Sequence, residues 1–193
     1  MKLDKTQQKQ LLNAIRVSVK KWGYKIRDNS IYKVYEDAFI HCDFLVVNSQ
    51  KLIYRIYIKN YIYDDIFWNI MQMPSNSTCA DSLRARAAFK SPSILLTNGE
   101  LELTDRYEEL AEYLLRLIDE NSQNFMKQYD IDEYIIDSEG YMYEDTLKSL
   151  AYIHTNQNEE AIKIAQDSIN NGRTGSFVNG GKGFFEWILE CYK

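Results

Sequence analysis

Apolar residues recur at helical spacing near the start of the chain: Leu11, Ile15, Val19 and Trp22, with Leu12 beside them. The spacing predicts a helix over residues 6–22, with Gly23 where a C-cap glycine belongs. The period then changes. Residues 30–36, 38–48 and 51–63 are strand-like, separated by turn residues at Asp37 and 48–50, and they predict an antiparallel meander. The third run extends toward Pro74 as a continuing strand. Residues 75–91 are polar and irregular, with a short helix at 81–89 and with Arg84 and Arg86 on an exposed loop. A fourth strand is expected at 93–97. Asn98 and Gly99 then form a turn, so that 100–105 pair back as a hairpin.

Helical spacing returns with Leu103, Tyr107, Leu110, Ala111, Leu114, Leu117 and Ile118, capped by Thr104 or Asp105. A further helix carries Phe125 and Tyr129. Residues 144–171 read as two helices joined at 156–158, resembling one hairpin of the tetratricopeptide kind. Arrays of that kind need about three repeats, so a single hairpin must pack on the rest of the chain. The glycine-rich stretch before the closing helix at 184–192 reads as a flexible interhelical loop. The expected class is α+β: an antiparallel sheet of four to five strands with helices packed on one face and a C-terminal helical hairpin. Residues 1–140 form the sheet domain, and 141–193 form a helical extension packed on it.

Charge changes this picture. The net charge of −5 conceals a strong asymmetry. Residues 1–35 hold nine Lys/Arg against two acids, whereas residues 98–145 hold fifteen acids against three bases. Either the two regions pair within the fold or the acidic one meets a basic partner. The chain has 15 tyrosines, a residue suited to sheet surfaces and amphipathic contacts. Three widely spaced cysteines, Cys42, Cys79 and Cys191, fit reduced thiols in a cytoplasmic protein. The first ten residues have no apolar core like that of a signal peptide, and no run approaches 18 apolar residues. No membrane association is expected.

Two stretches are candidate binding surfaces. On one face of the third strand-like run, Arg55, Tyr57, Lys59 and Tyr61 form a stripe, adjoining Phe39, His41 and Asp43 of the neighbouring strand. Such a face suits cross-strand pairing, a protein partner, or stacked bases. The acidic balance argues against nucleic acid, whose readers are basic. The second stretch, residues 130–145, holds seven acids and no base, interleaved with aromatic residues. Here Asp132, Glu133, Tyr134, Asp137 and Tyr141 are the candidate contacts. The stretch lacks the oxygen ligand and glycine that a calcium loop needs at its fifth and sixth positions.

Residues 175–183 carry glycines and Lys182, but their spacing departs from the phosphate-loop pattern and Gly183 replaces its hydroxyl residue. His41 and His154 are the two histidines, with no neighbouring ligands at metal spacing. No cofactor, no metal and no catalytic signature is expected. An enzyme would have to assemble its site from dispersed residues such as His41, Asp43 and Arg55.

The segments "KKWGYKIRDN" and "SIYKVYED", followed by sheet strands, "RYEELAEYLLRLI" and a helical hairpin, resemble a family of small uncharacterised bacterial α+β proteins. The matching positions are Gly23, Tyr24, Lys25, Tyr32 and Lys33, with Tyr24 where the family usually has Phe. Members of such families are often encoded near toxin systems, so the resemblance implies an immunity or adaptor role. The leading expectation is a non-catalytic protein that binds a protein partner, and the acidic segment favours a basic one. The alternatives are a dispersed-site enzyme and a single-stranded nucleic-acid binder.

Overall fold

The computed structural model describes residues 5–48, 50–85, 90–175 and 177–192. The fold is α+β, with a five-stranded antiparallel sheet and a helical C-terminal region. The chain folds as two compact units. One comprises the described residues up to Ile58 together with Leu95–Gln128; the other comprises Lys59–Ile94 and the residues from Tyr129 onward. This division differs from the expected boundary near residue 140.

The first unit opens with α1 (Lys5–Lys21), whose Leu11, Ile15 and Val19 are buried. The helix stops as its sequence predicts. Gly23 adopts φ +70°. Its N–H bonds to Lys20, and the Tyr24 N–H bonds back to Val19. These are the two hydrogen bonds of a Schellman cap, which demands a left-handed residue that glycine supplies without strain.

The sheet follows as a meander: β1 (Lys25–Arg27), β2 (Ser30–Tyr35), β3 (Ala38–Val47), β4 (Lys51–Asn60) and β5 (Ile94–Glu102), paired in that order. Two-residue loops join the first three strands. Arg27 pairs with Ser30 and Tyr35 with Ala38. The core face lies opposite the Arg55–Tyr57–Lys59 stripe. Ala38, Ile40, Cys42 and Phe44 of β3 and Leu52, Tyr54, Ile56 and Ile58 of β4 are all buried. Consecutive burial from Ala38 to Cys42 shows that this half of β3 is covered on both sides.

The expected hairpin at Asn98 and Gly99 is absent: β5 runs straight through both residues. Gly99 is explained by packing. A Cβ there would lie 2.7 Å from the Tyr54 hydroxyl, so the glycine makes room for an aromatic ring on the next strand.

Helix α4 (Tyr107–Gln128) packs on α1. Glu112 joins them, accepting hydrogen bonds from Ser18 Oγ (2.9 Å), Lys21 Nζ (3.0 Å) and Trp22 Nε1 (3.0 Å). The donors, with Trp22 first, hold its carboxyl down at about 2, below the usual 4.5. A depressed carboxylate contributes stability that is present above pH 4.5 and is lost as pH falls toward 2. Glu112→Gln is therefore expected to lower the Tm at neutral pH and to flatten the loss of Tm on acidification. Thermal scans of both proteins from neutral to acid pH check this, and an unaltered acid slope would count against it.

The second unit begins at the end of β4. The strand does not continue toward Pro74. Instead α2 (Tyr63–Ile70) forms, burying Tyr63, Asp64, Phe67, Trp68 and Ile70. Asp64 and Asp65 in its first turn favour the helix dipole. A 3-10 turn (Pro74–Asn76) and α3 (Asp81–Arg84) follow. The rest of the helix expected at 81–89, with Arg86, lies outside the described residues. Then come α5 (Ile131–Asp137), α6 (Glu144–His154), α7 (Asn158–Asn170) and α8 (Phe184–Tyr192).

The α6–α7 hairpin is the expected one. Small residues Ala151, Ala161 and Ala165 are fully buried between larger side chains. Phe67 stacks on Phe184 at 5.0 Å, and Phe177 stands edge-on to Phe67 and Trp68. The glycine-rich stretch is no flexible loop. It contains a two-stranded ladder of β6 (Val178–Asn179) and β7 (Lys182–Gly183). A Cβ on Gly183 would lie 2.4 Å from the Thr174 carbonyl oxygen, so this glycine serves close packing rather than phosphate binding.

Candidate functional site

The stripe expected on β4 does not exist as a continuous surface. Arg55 is exposed, and Tyr57 is half-buried with its ring stacked on His41 at 4.7 Å. Lys59 is fully buried. Tyr61 lies beyond the end of β4, in the turn before α2, and its hydroxyl donates to Asp81 at 3.0 Å. Lys59 keeps its place in the strand but is buried against Asp64 and Ser91, and alternation no longer applies to Tyr61 because the strand ends at Asn60.

Lys59 belongs to a buried ionic cluster. Its ammonium donates to Asp64 Oδ1 at 2.7 Å and to Ser91 Oγ at 3.1 Å. The Ser91 N–H donates to the same carboxylate at 2.9 Å. Arg84, expected on an exposed loop, is also buried. It lies 3.5 Å from Asp64 Oδ2, donates to Asp65 at 2.8 Å and to the Ser77 carbonyl at 2.7 Å, and covers the Tyr61 ring at 4.3 Å. Burial pulls Lys59 down to about 8 against the opposing attraction of Asp64. The cluster ties the end of β4 to α2 and α3. Its groups face one another, which makes it a structural clasp.

His41 and Asp43, proposed for a dispersed catalytic site, lie 4.0 Å apart, with the histidine ring fully buried. Neither they nor Arg55 line the depression formed by Leu101, Leu110 and Tyr113 or the one formed by Leu11, Phe44 and Val46. Among the described residues no group of three or more His, Cys, Asp and Glu side chains has metal-binding geometry.

The acidic segment separates into an inner and an outer set. Asp130 caps α5, accepting from the N–H groups of Asp132 (2.9 Å) and Glu133 (3.1 Å). Asp132 turns inward. Its carboxylate accepts from the Tyr63 hydroxyl at 2.5 Å and lies 2.7 Å from His154 Nδ1. Asp132 is thus buried and is not a surface contact. It holds α5 to α2 and to the end of α6. The His154 ring is 34% exposed, and its Nε2 bonds to no protein group among the described residues. A carboxylate oriented on Nδ1 would suit proton transfer at Nε2.

The outer set lies on α5 and the loop to α6. Glu133, Asp137 and Glu139 are exposed. Tyr134 is half-buried, its ring 5.1 Å from that of Tyr129. Tyr141 is also half-buried and donates its hydroxyl to the Ile135 carbonyl at 2.8 Å, which pins the loop to α5. Burial and the carboxylate of Glu144 push its phenol above the usual range. Glu144 in turn accepts from the Gly140 N–H at 2.7 Å and from Lys148 at 2.9 Å.

Between these pins the chain presents two residues that sequence reasoning passed over. Met142 is 74% exposed and Tyr143 is 47% exposed. Tyr143 adopts φ 62°, ψ 27°, the left-handed region, at the N-cap of α6, with no side-chain cap. An aromatic residue held there stores about 1–3 kcal/mol of strain. The uninterrupted run Tyr141, Met142, Tyr143 between acids was the signal available in the sequence, but period alone did not say which residue points outward. Compared with protein-family models, with curated proteins and with solved structures, the chain matches none.

Proposed function

We propose that this chain is a non-catalytic binding protein that docks a basic protein partner on the α5–α6 connection, in an immunity or adaptor role. The observation that carries the reading is the exposed Met142 and Tyr143 pair, held in a strained left-handed turn, in a segment whose Glu133, Asp137 and Glu139 are also exposed. A flexible thioether and an aromatic ring supply apolar contact, and the surrounding carboxylates supply attraction and exclude partners of like charge. Backbone strain at an exposed aromatic supports a functional reading. The fixed loop also lowers the ordering cost of binding. The contact set is revised accordingly to Glu133, Asp137, Glu139, Met142 and Tyr143. Asp132 and Tyr141 hold the scaffold, and Tyr134 lies at its border.

The test needs the partner. Affinity capture from the source organism identifies it, and the purified pair then goes to surface plasmon resonance. Replacing Glu133, Asp137 and Glu139 by Gln, Asn and Gln is expected to slow association at low salt, with the difference shrinking as salt rises. Thermal unfolding should hardly change, because exposed charges contribute roughly 0–1 kcal/mol each. An unchanged on-rate at low salt would remove the acidic segment from the interface.

A further inference from the structure

We infer that β5 is a pairing edge that takes up the β5 of a second copy of this chain, antiparallel, joining two sheets across a two-fold axis. The strand is last in the sheet order and bonds to β4 on one side. In an antiparallel strand alternate residues turn both N–H and C=O away from the neighbour. Among the described residues no backbone hydrogen bond is made to that outer side. Edges that must stay single carry charged side chains, lysine above all, or proline or a bulge. The nine residues of β5, Ile-Leu-Leu-Thr-Asn-Gly-Glu-Leu-Glu, include no lysine and no proline. Its two acids are engaged from within the sheet by Lys51 of β4, which pairs with Glu100 and lies 3.8 Å from Glu102.

The distribution of residues selects the occupant. The strand is apolar in its first half and acidic in its second. Parallel pairing of two copies would set glutamate beside glutamate. Antiparallel pairing centred on Asn98 sets Glu100 opposite the second copy's Leu96, and Leu95 opposite the second copy's Leu101. Gly99 faces the Tyr54 ring, so strand alternation puts Leu95, Thr97 and Leu101 on that same side. Leu95 is 44% exposed there. Leu101 lines an open depression of about 650 Å³ with Leu110 and Tyr113. The pairing would cover both leucines in each copy, and the same patch serves both, so the assembly closes at two. A cationic peptide fits less well, because Lys51 already neutralises the acidic end.

Sedimentation over a wide concentration range tests this, with the 22.8 kDa chain expected to form a dimer. Leu95→Glu, at an exposed position, is expected to give a folded monomer. Asn98→Cys, in a chain with Cys79 and Cys191 replaced by serine, is expected to form a covalent dimer on oxidation. Facing Cα atoms about 4.5–5.5 Å apart lie within disulfide range. Lys127→Cys, exposed near the end of α4, should not cross-link. The cross-link reads the pairing even if the Leu95 variant folds poorly. A chain that stays monomeric throughout, or a dimer that neither yields to Leu95→Glu nor cross-links at position 98, overturns the inference. A monomer that instead takes up an unrelated extended peptide also overturns it.

Discussion

Replacing Asp64 with alanine is expected to lower the unfolding free energy by about 3–5 kcal/mol, the range for breaking a buried ion pair from one side. The carboxylate is 1% exposed and meets three donors: Lys59, the Ser91 N–H and, at longer range, Arg84. Without it two cations face each other in the interior and the Ser91 N–H loses its acceptor. Lys59 already sits at about 8 with Asp64 present. Losing the attraction that opposes desolvation drives it lower still. Urea unfolding measures the loss, and a cost below about 1 kcal/mol would mean that the cluster behaves like a surface pair. Lys59→Met in the Asp64→Ala background should recover part of the loss, because an apolar side chain replaces an uncompensated charge.

The second large effect is expected at Tyr143, where stability and binding should move in opposite directions. Glycine adopts φ 62° without steric cost. Tyr143→Gly should relieve about 1–2 kcal/mol of left-handed strain, less about 0.4–1 kcal/mol for the freer unfolded chain. A gain of several tenths of a kcal/mol should therefore appear in urea unfolding. The same change removes an aromatic anchor and should weaken partner binding by about 2 kcal/mol, roughly thirtyfold in Kd, mainly through faster dissociation. Tyr141→Phe provides the contrast. It loses the hydrogen bond to the Ile135 carbonyl and should loosen the loop without removing a contact. A Tyr143→Gly chain that binds as tightly as the parent would show that the exposed ring serves no interface.

Much of the fold was legible because strong periodicity and cap chemistry agree. Leu11, Ile15 and Val19 with Gly23, and the alternation along β3, are local signals that burial then satisfies. The β4 stripe was misread for two reasons: Lys59, within the strand, is buried by its partners Asp64 and Ser91, and alternation says which residues share a face only while the strand lasts. The strand stops at Asn60, where the apolar run from Tyr63 to Ile70 turns helical. Asn98 and Gly99 looked like a turn, since that dipeptide favours hairpins. The need for space above Gly99 comes from Tyr54, far away in sequence. Within the acidic segment the charges were visible, but Asp132 turns inward through Tyr63 and His154, tens of residues away on either side. Tertiary partners, not composition, decide which of a row of acids meets solvent.

The division of the chain also constrains how the molecule can be taken apart. The first unit is left at Ile58 and re-entered at Leu95, so its last strand and its longest helix are encoded after an excursion into the second. A fragment ending before Leu95 would carry α1 without the Glu112 that binds it. A fragment starting at residue 141 would lack α2 and α5, and with α5 the Asp132 that His154 at the end of α6 contacts. Neither unit can be released by one cut. Excision of the first requires two cuts and a linker from Ile58 to Leu95, and during synthesis its fold stays incomplete until α4 has left the ribosome.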